Sequence, residues 1–259
     1  MVNDMRFFIQ KLLVTSLLTV GVSITAYGQT KTTEKAESGF AVVELFTSEG
    51  CSSCPSADEN LAVITRNAES KGQKVVTLSF HVDYWNNLGW KDPYSSAEAT
   101  KRQRLYSGVH GTSQVYTPQM VVNGTTEFVG SQRAKSTSAI QSVLKTKPTA
   151  SLDLKSELSN NKVLVNWKAS GAQNTDLVNI ALVQKSAMEK VPAGENGGST
   201  LKHVNVVRQF RVLSVGDSEQ TVSLDVPVGF KSSDFHIVGY VQSPNDASIQ
   251  AATVSNIGG

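Results

Sequence analysis

Between Phe40 and Lys147, short apolar runs alternate with stretches of helical period. Ala41–Thr47 is nearly continuous in apolar residues, as a strand covered on both faces requires. From Pro55 to Ser70, Ala57, Leu61, Ile64 and Ala68 fall on one face of a helix. Val75–Val82 reads as a second strand. Ser95–Tyr106 reads as a helix, with Ser95 and Glu98 spaced as a capping box and Gly108 as a stop. Gln119–Val122 and Thr126–Val129 flank Asn123-Gly124, a strong hairpin signal. Ser131–Lys145 closes the series as a helix with Ile140, Val143 and Leu144 on one side. The order β-α-β-α-β-β-α predicts a mixed central sheet flanked by helices, with a parallel core and an antiparallel edge.

After Lys147-Pro148 the rhythm changes to strand and turn. Expected strands are Ser151–Leu158, Lys162–Lys168, Leu177–Gln184, Val204–Leu213, Gln220–Val226, Phe235–Gln242 and Ser248–Val254. Seven short strands of this kind predict an all-β, immunoglobulin-like sandwich. One connection is long, Ser186 to Lys202, and contains Gly194-Glu195-Asn196-Gly197-Gly198. Long connections of this sort are functional or mobile, and this one is expected to place substrates near the chemistry of the first half. The expected organisation is a signal peptide (1–28), a flexible leader (29–39), an α/β domain (40–147) and a β-sandwich domain (149–259).

The signal-peptide reading rests on Arg6 and Lys11, followed by an apolar run from Leu12 to Ala26 and the small residues of Ala26-Tyr27-Gly28. The run is shorter than the roughly 20 residues of a spanning helix, and an uncleaved anchor is the alternative. Export to the periplasm or the medium follows, where disulfides persist. No membrane association is then expected after cleavage. Removing the segment leaves 22 basic and 21 acidic residues. Near-neutral charge gives no electrostatic case for nucleic acid as a partner. Two cysteines exclude a disulfide-dense scaffold and a four-cysteine zinc site.

Those two cysteines carry the candidate chemistry. Cys51-Ser52-Ser53-Cys54 falls between the first strand and the first helix, the specific context for a CxxC redox pair. A helix N-terminus favours thiolate over thiol. Cys51, expected to project from the turn, is the candidate nucleophile, and Cys54 the resolving thiol. An inert structural disulfide is the alternative, although a bridge closing so small a loop restrains the unfolded chain little. Thr117-Pro118 heads a strand and is a candidate cis peptide bond. Both parallel strands end on one sheet edge, so His81, Asp83, Trp85 and Trp90 should rim the CxxC. His81 either tunes the thiolate or is a hydrogen-bonded scaffold residue. Lys101, Arg102 and Arg104 read as a solvated helix face.

Strand–CxxC–helix followed by Thr-Pro at a strand head resembles the thioredoxin superfamily. The resemblance implies a thioredoxin-like fold for the first domain, with Thr117 and Pro118 packing against the disulfide and binding the incoming chain. It also implies an acidic residue beneath the disulfide, a place Glu44 would fill unless it faces water. The strand-to-CxxC connection is one residue longer than in thioredoxin, and Gly50 stands where tryptophan is usual. More closely, VELFTSEGCSSCP, FHVDYW, LGWKDP, YTPQMVVNG, EFVGS, ENGG and HVNVVR resemble secreted bacterial proteins of the domain-of-unknown-function family numbered 1223.

The expected activity is thiol–disulfide exchange through Cys51 and Cys54 on protein or small-thiol disulfides, with no cofactor and an unidentified redox partner. Two alternatives differ in class. One is a soft-metal protein that holds Cu(I) on the two thiolates and His81. The other is an adaptor in which the CxxC is vestigial.

Overall fold

The structure is a computed structural model, which describes residues 39–112 and 114–258. The expected signal peptide, and the leader apart from Gly39, lie outside the described residues. Among the described residues no helix is long and apolar enough to cross a membrane.

The first seven elements follow the predicted order: β1 (Ala41–Thr47), α1 (Pro55–Lys71), β2 (Val75–His81), α2 (Ala97–Val109), β3 (Gln119–Val122), β4 (Thr126–Val129) and α3 (Arg133–Val143). Then come β5 (Ser151–Ser159), β6 (Lys162–Ser170), β7 (Leu177–Lys190), β8 (Thr200–Ser214), β9 (Gln220–Asp225), β10 (Phe235–Gln242) and β11 (Ile249–Asn256). Pro55 opens α1, where a missing N–H is harmless. The helix ends at Gly72, whose φ of +59° suits glycine and lets its N–H reach the carbonyls of Ala68 and Glu69. Ser96, rather than Ser95, caps α2 by accepting from the Ala99 N–H.

The assembly of these elements overturns the expected fold class. The chain is not a thioredoxin-like α/β domain followed by an immunoglobulin-like sandwich; it is one β-rich domain built on an eight-stranded mixed sheet, ordered β11-β10-β7-β8-β2-β1-β3-β4. Four strands of the second half therefore extend the sheet of the first. The seam is β2 beside β8, parallel, with Ser79 opposite Val206. Only β5, β6 and β9 form a separate, three-stranded sheet. A parallel pairing between segments more than a hundred residues apart leaves no local signal, since strand partners are chosen by tertiary packing.

The core follows strand alternation. On β1, Ala41, Val43 and Leu45 face α1 and α3, packing on Ala57, Leu61 and Ile140. Val42 and Phe46 face the other way, toward Phe80, Tyr106 and Tyr240. On β7, Val178, Ile180 and Leu182 meet Val163, Val165 and Trp167 of the smaller sheet. Ala181 and Val183 join the Phe46–Phe80 cluster instead. Every residue of β1 is buried, which satisfies the continuous apolar run without a second domain. Full burial of one large apolar side chain such as Leu61 stabilises by roughly 1.5–3 kcal/mol.

The hairpin arm of β7 and β8 is longer than expected. Met188 pairs with Lys202 and Lys190 with Thr200, so the 186–202 connection is strand for most of its length. Its exposed, polar alternate residues give it the composition of a loop. What remains as turn is residues 191–199.

Candidate functional site

Cys51 and Cys54 form a disulfide with their Cα atoms 5.4 Å apart. It lies between the end of β1 and the head of α1. The turn is organised by backbone bonds: the Cys51 N–H donates to the Ser48 carbonyl (3.2 Å) and the Cys54 N–H to the Cys51 carbonyl (3.1 Å). The Ala57 and Asp58 N–H groups then donate to the Cys54 carbonyl. Gly50 lets the turn pack closely on Trp85: a Cβ there would lie 3.0 Å from Cβ of Trp85, a tight contact that Trp85 would have to yield to.

The expectation that Cys51 projects into solvent is not met. Cys51 is 1% exposed and Cys54 0%, whereas Ser52 and Ser53 between them are exposed. The reason is long-range. The turn between β7 and β8 lies against the CxxC turn, with the Asn196 side-chain amide donating to the carbonyls of Glu49 (2.8 Å) and Cys51 (3.0 Å). The Ser52 N–H donates to Glu195 Oε2 at 2.9 Å, and hydrogen bonding by Ser52, through its side chain first and its N–H second, holds the Glu195 carboxyl below its ordinary range.

Thr117-Pro118 is a cis peptide bond. Trp85 Nε1 donates to the Thr117 hydroxyl at 2.9 Å. A Cβ on Gly130 would lie 2.7 Å from Leu45 Cδ1, 3.0 Å from Ala57 Cβ and 3.5 Å from Pro118 Cβ. Gly130 thus lets β1, the first turn of α1 and Pro118 close on one point. Trp85, Thr117 and Pro118 are brought to the CxxC side of the sheet.

Glu44 is not. Strand alternation turns it to the face opposite α1, where the Arg102 guanidinium grips both carboxylate oxygens, Nε at 2.5 Å and Nη2 at 3.0 Å. The hydroxyls of Tyr240 (2.9 Å) and Tyr106 also donate to it. Arg102 is 4% exposed, so the solvated face expected of Lys101, Arg102 and Arg104 is wrong at this position. Its guanidinium carbon lies within 6 Å of the rings of Phe80, Tyr106, Phe210 and Tyr240, an aromatic cage for a cation. Burial pulls the guanidinium down, but Glu44 and the two tyrosines more than offset it and it stays charged. Burial likewise pushes the Tyr106 phenol well up, against the pull of Arg102.

His81 is buried, with Nδ1 2.7 Å from Asp92 Oδ2 and its ring edge-on to His203, 4.7 Å between centroids. Burial raises Asp92, yet His81 and the backbone N–H groups of Glu49 and Tyr94 hold it below the usual carboxylate range. Beside it lies a second buried group. Glu49 accepts from Trp90 Nε1 at 2.7 Å and meets His203 Nε2 at 3.1 Å. His203 Nδ1 is 3.8 Å from Asp58 Oδ2. Asp58 sits one helical turn beyond Cys54, and desolvation, opposed by His203, pushes it up to about 6. Of the residues expected at the rim, Asp83 instead holds the Thr100 hydroxyl on α2.

Sequence reasoning missed Glu49, Asp58, Asp92 and His203, and it named the segment of Glu195 and Asn196 without assigning either residue a role. Asp58 had a signal, its i+4 spacing from Cys54, which puts both on one helix face. For His203 no local signal exists, because the β2–β8 seam brings it in; the Gly194–Gly198 segment was marked only by its length and glycines, which name no partner for Glu195 or Asn196. Among the described residues no group of three or more His, Cys, Asp or Glu side chains is placed to hold a metal ion.

In a search of solved structures, the chain is similar to a protein of Agrobacterium tumefaciens determined by crystallography. The identity is 30%, the match covers 86% of this chain and 96% of that one, and the TM-score is 0.64. It is also similar in fold to HBP35 of Porphyromonas gingivalis, with 16% identity, 85% and 76% of the two chains covered, and a TM-score of 0.56. No curated protein matches the chain. The model of the family DUF1223, described as a protein of unknown function, matches residues 42–242, and the chain belongs to that family.

Proposed function

We propose that the protein is an exported thiol–disulfide oxidoreductase that works through Cys51 and Cys54 on disulfides or thiols of proteins or small molecules, in the periplasm or outside the cell. The observation that carries this reading is the disulfide at the head of α1. A bridge with two intervening residues contributes little stability, whereas the helix N-terminus behind it favours the thiolate that reduction would produce.

In the reductive direction, an incoming thiolate attacks Cys51 Sγ. A sulfur–sulfur bond forms to Cys51, the Cys51–Cys54 bond breaks, and Cys54 leaves with the electron pair and takes a proton. A second thiolate of the reductant then attacks the mixed disulfide and releases Cys51; the reductant departs as a disulfide, two electrons poorer. Oxidation of a substrate dithiol is this same sequence with the substrate in the place of the reductant; reduction of a substrate disulfide runs the steps in reverse, the Cys51 thiolate attacking the substrate disulfide and Cys54 resolving the mixed disulfide. Cys54, at the N-cap of α1, is the resolving thiol in this reading. Thr117 and Pro118, with Trp85 behind them, form the wall along which a substrate chain would lie.

Cys54→Ser leaves Cys51 free to form mixed disulfides that cannot resolve. Such adducts are expected to accumulate in the exported fraction of cells, and to vanish in Cys51→Ala. No adduct, together with disulfide-exchange activity no higher than that of Cys51→Ala, would refute the reading. The reduction potential of the pair then decides direction: a value near −270 mV marks a reductant and one near −120 mV an oxidant.

A further inference from the structure

The turn between β7 and β8 is a compact piece of chain. Its base is closed by the Val191 N–H on the Ser199 carbonyl (2.9 Å) and the Gly198 N–H on the Val191 carbonyl (2.8 Å). Its tip is closed by the Gly197 N–H on the Gly194 carbonyl (3.0 Å). Gly194 and Gly198 both have positive φ, +82° and +85°. The tip also rests on the segment before α2: a Cβ on Gly194 would lie 3.2 Å from the Leu88 carbonyl oxygen. The tip thus meets its own backbone needs, and three further hydrogen bonds tie it to the CxxC turn through Glu195 and Asn196.

We propose that residues 191–199 are a latch that closes the Cys51–Cys54 disulfide, held by Asn196 on the Glu49 and Cys51 carbonyls and by Glu195 on the Ser52 N–H, and that exchange at Cys51 requires its release. The proposal rests on the reading of Cys51 as an exchanging sulfur. All three bonds end on backbone atoms of the segment Glu49–Ser52, so the latch grips the turn itself. A thiolate needs an unobstructed approach to the sulfur it attacks, and a disulfide with exposures of 1% and 0% offers none. Exchange must therefore pass through an opened form. Glu195 is exposed and its bond competes with water, whereas Asn196 is buried. Asn196 is the main catch and Glu195 the lighter one.

The test is the rate at which dithiothreitol reduces Cys51–Cys54 in the intact protein, read by quenching with iodoacetamide and weighing the alkylated product. Asn196→Asp keeps the size of the side chain but replaces two donated bonds with carboxylate–carbonyl repulsion. It is expected to be reduced about tenfold faster than the unaltered protein, as loss of one to two hydrogen bonds predicts. Glu195→Ala should accelerate reduction by about threefold to fivefold. Glu195→Gln, which still offers an acceptor to Ser52, should stay near the original rate. Trp167→Phe serves as a control, because it loosens the core under the smaller sheet and leaves the latch bonds in place. An unchanged rate in Asn196→Asp overturns the proposal, and so does an equal acceleration in Trp167→Phe, which would mean that reduction follows global unfolding. Faster reduction in Asn196→Asp without any trapped substrate in cells leaves the latch standing and removes the oxidoreductase; trapped substrate with unchanged rates does the reverse.

Discussion

Glu44 and Arg102 form a two-pronged ion pair that is buried on both sides, with Arg102 Nε 2.5 Å from one carboxylate oxygen and Nη2 3.0 Å from the other. The pair ties β1 to α2, and Tyr240 and Gln242 of β10 complete its shell. It joins elements from both halves of the chain, within the Phe46–Phe80–Tyr240 layer. Removing one partner strands the other charge in a desolvated site. Arg102→Met is therefore expected to cost about 3–5 kcal/mol in urea unfolding. Glu44→Gln should destabilise as well, while leaving the pH dependence of the Cys51–Cys54 potential unchanged. A changed slope would place Glu44 in the chemistry after all.

Asp58 gives the protein a pH signature. Its pKa rises from 3.8 to about 6 on folding, so between those values the folded chain holds a proton that the unfolded chain has lost. The stability it contributes is full below pH 3.8 and is lost as pH rises through 6; complete ionisation costs about 3 kcal/mol. His236, pushed down to about 4 by burial and by Lys185, acts the other way: its contribution is present above 6.5 and is lost as pH falls through 4. Asp58→Asn should therefore make unfolding free energy fall more steeply with acid between pH 6 and pH 4 than in the parent. Parallel curves from chemical denaturation at several pH values would show that Asp58 ionises normally.

The double variant Cys51→Ala with Cys54→Ala separates chemistry from architecture. The chain-entropy relation puts the loss of so short a loop at about 2 kcal/mol or less, and β1 and α1 keep their apolar contacts. The fold is expected to survive, with a modest drop in melting temperature, and all thiol exchange to disappear. Retention of full cellular function by this variant would favour a non-catalytic adaptor.

Gly130 is the point where three elements leave no volume. Gly130→Ala would set a methyl 2.7 Å from Leu45 and 3.0 Å from Ala57, forcing the head of α1 or the Pro118 segment to move. A loss of about 1–3 kcal/mol is expected from such overpacking, together with a slower exchange rate, since the shifted elements carry Cys54 and Pro118. An unchanged melting temperature would mean that the gap is larger than the geometry states.

Local chemistry was readable from the residues. Among the described residues, apolar periodicity placed α1, α3 and the body of each strand, because alternation and helical spacing record which side of a segment is covered, while capping signals placed α2. The Asn123-Gly124 turn and the Pro55 start are backbone preferences written into single residues; Asn123 and Gly124 both have positive φ, 46° and 76°. The CxxC and the Thr117-Pro118 bond were legible for the same reason.

What lay beyond that reading depends on contacts between distant segments. Nothing in Val204–Leu213 says that it will pair with β2 rather than with a strand of its own half. A strand's own residues define its faces, and its edges are promiscuous. That one pairing joined four strands of the second half to the sheet of the first, brought His203 to Asp58 of α1 and set Asn196 on the Cys51 carbonyl. It also settled Glu44, whose parity on β1 was fixed from the start but whose partner, Arg102, had the look of a surface residue until Tyr240 and Gln242 closed over it. Residue order dictates which groups a segment offers; burial and hydrogen-bond satisfaction across the assembled sheet choose which of them meet.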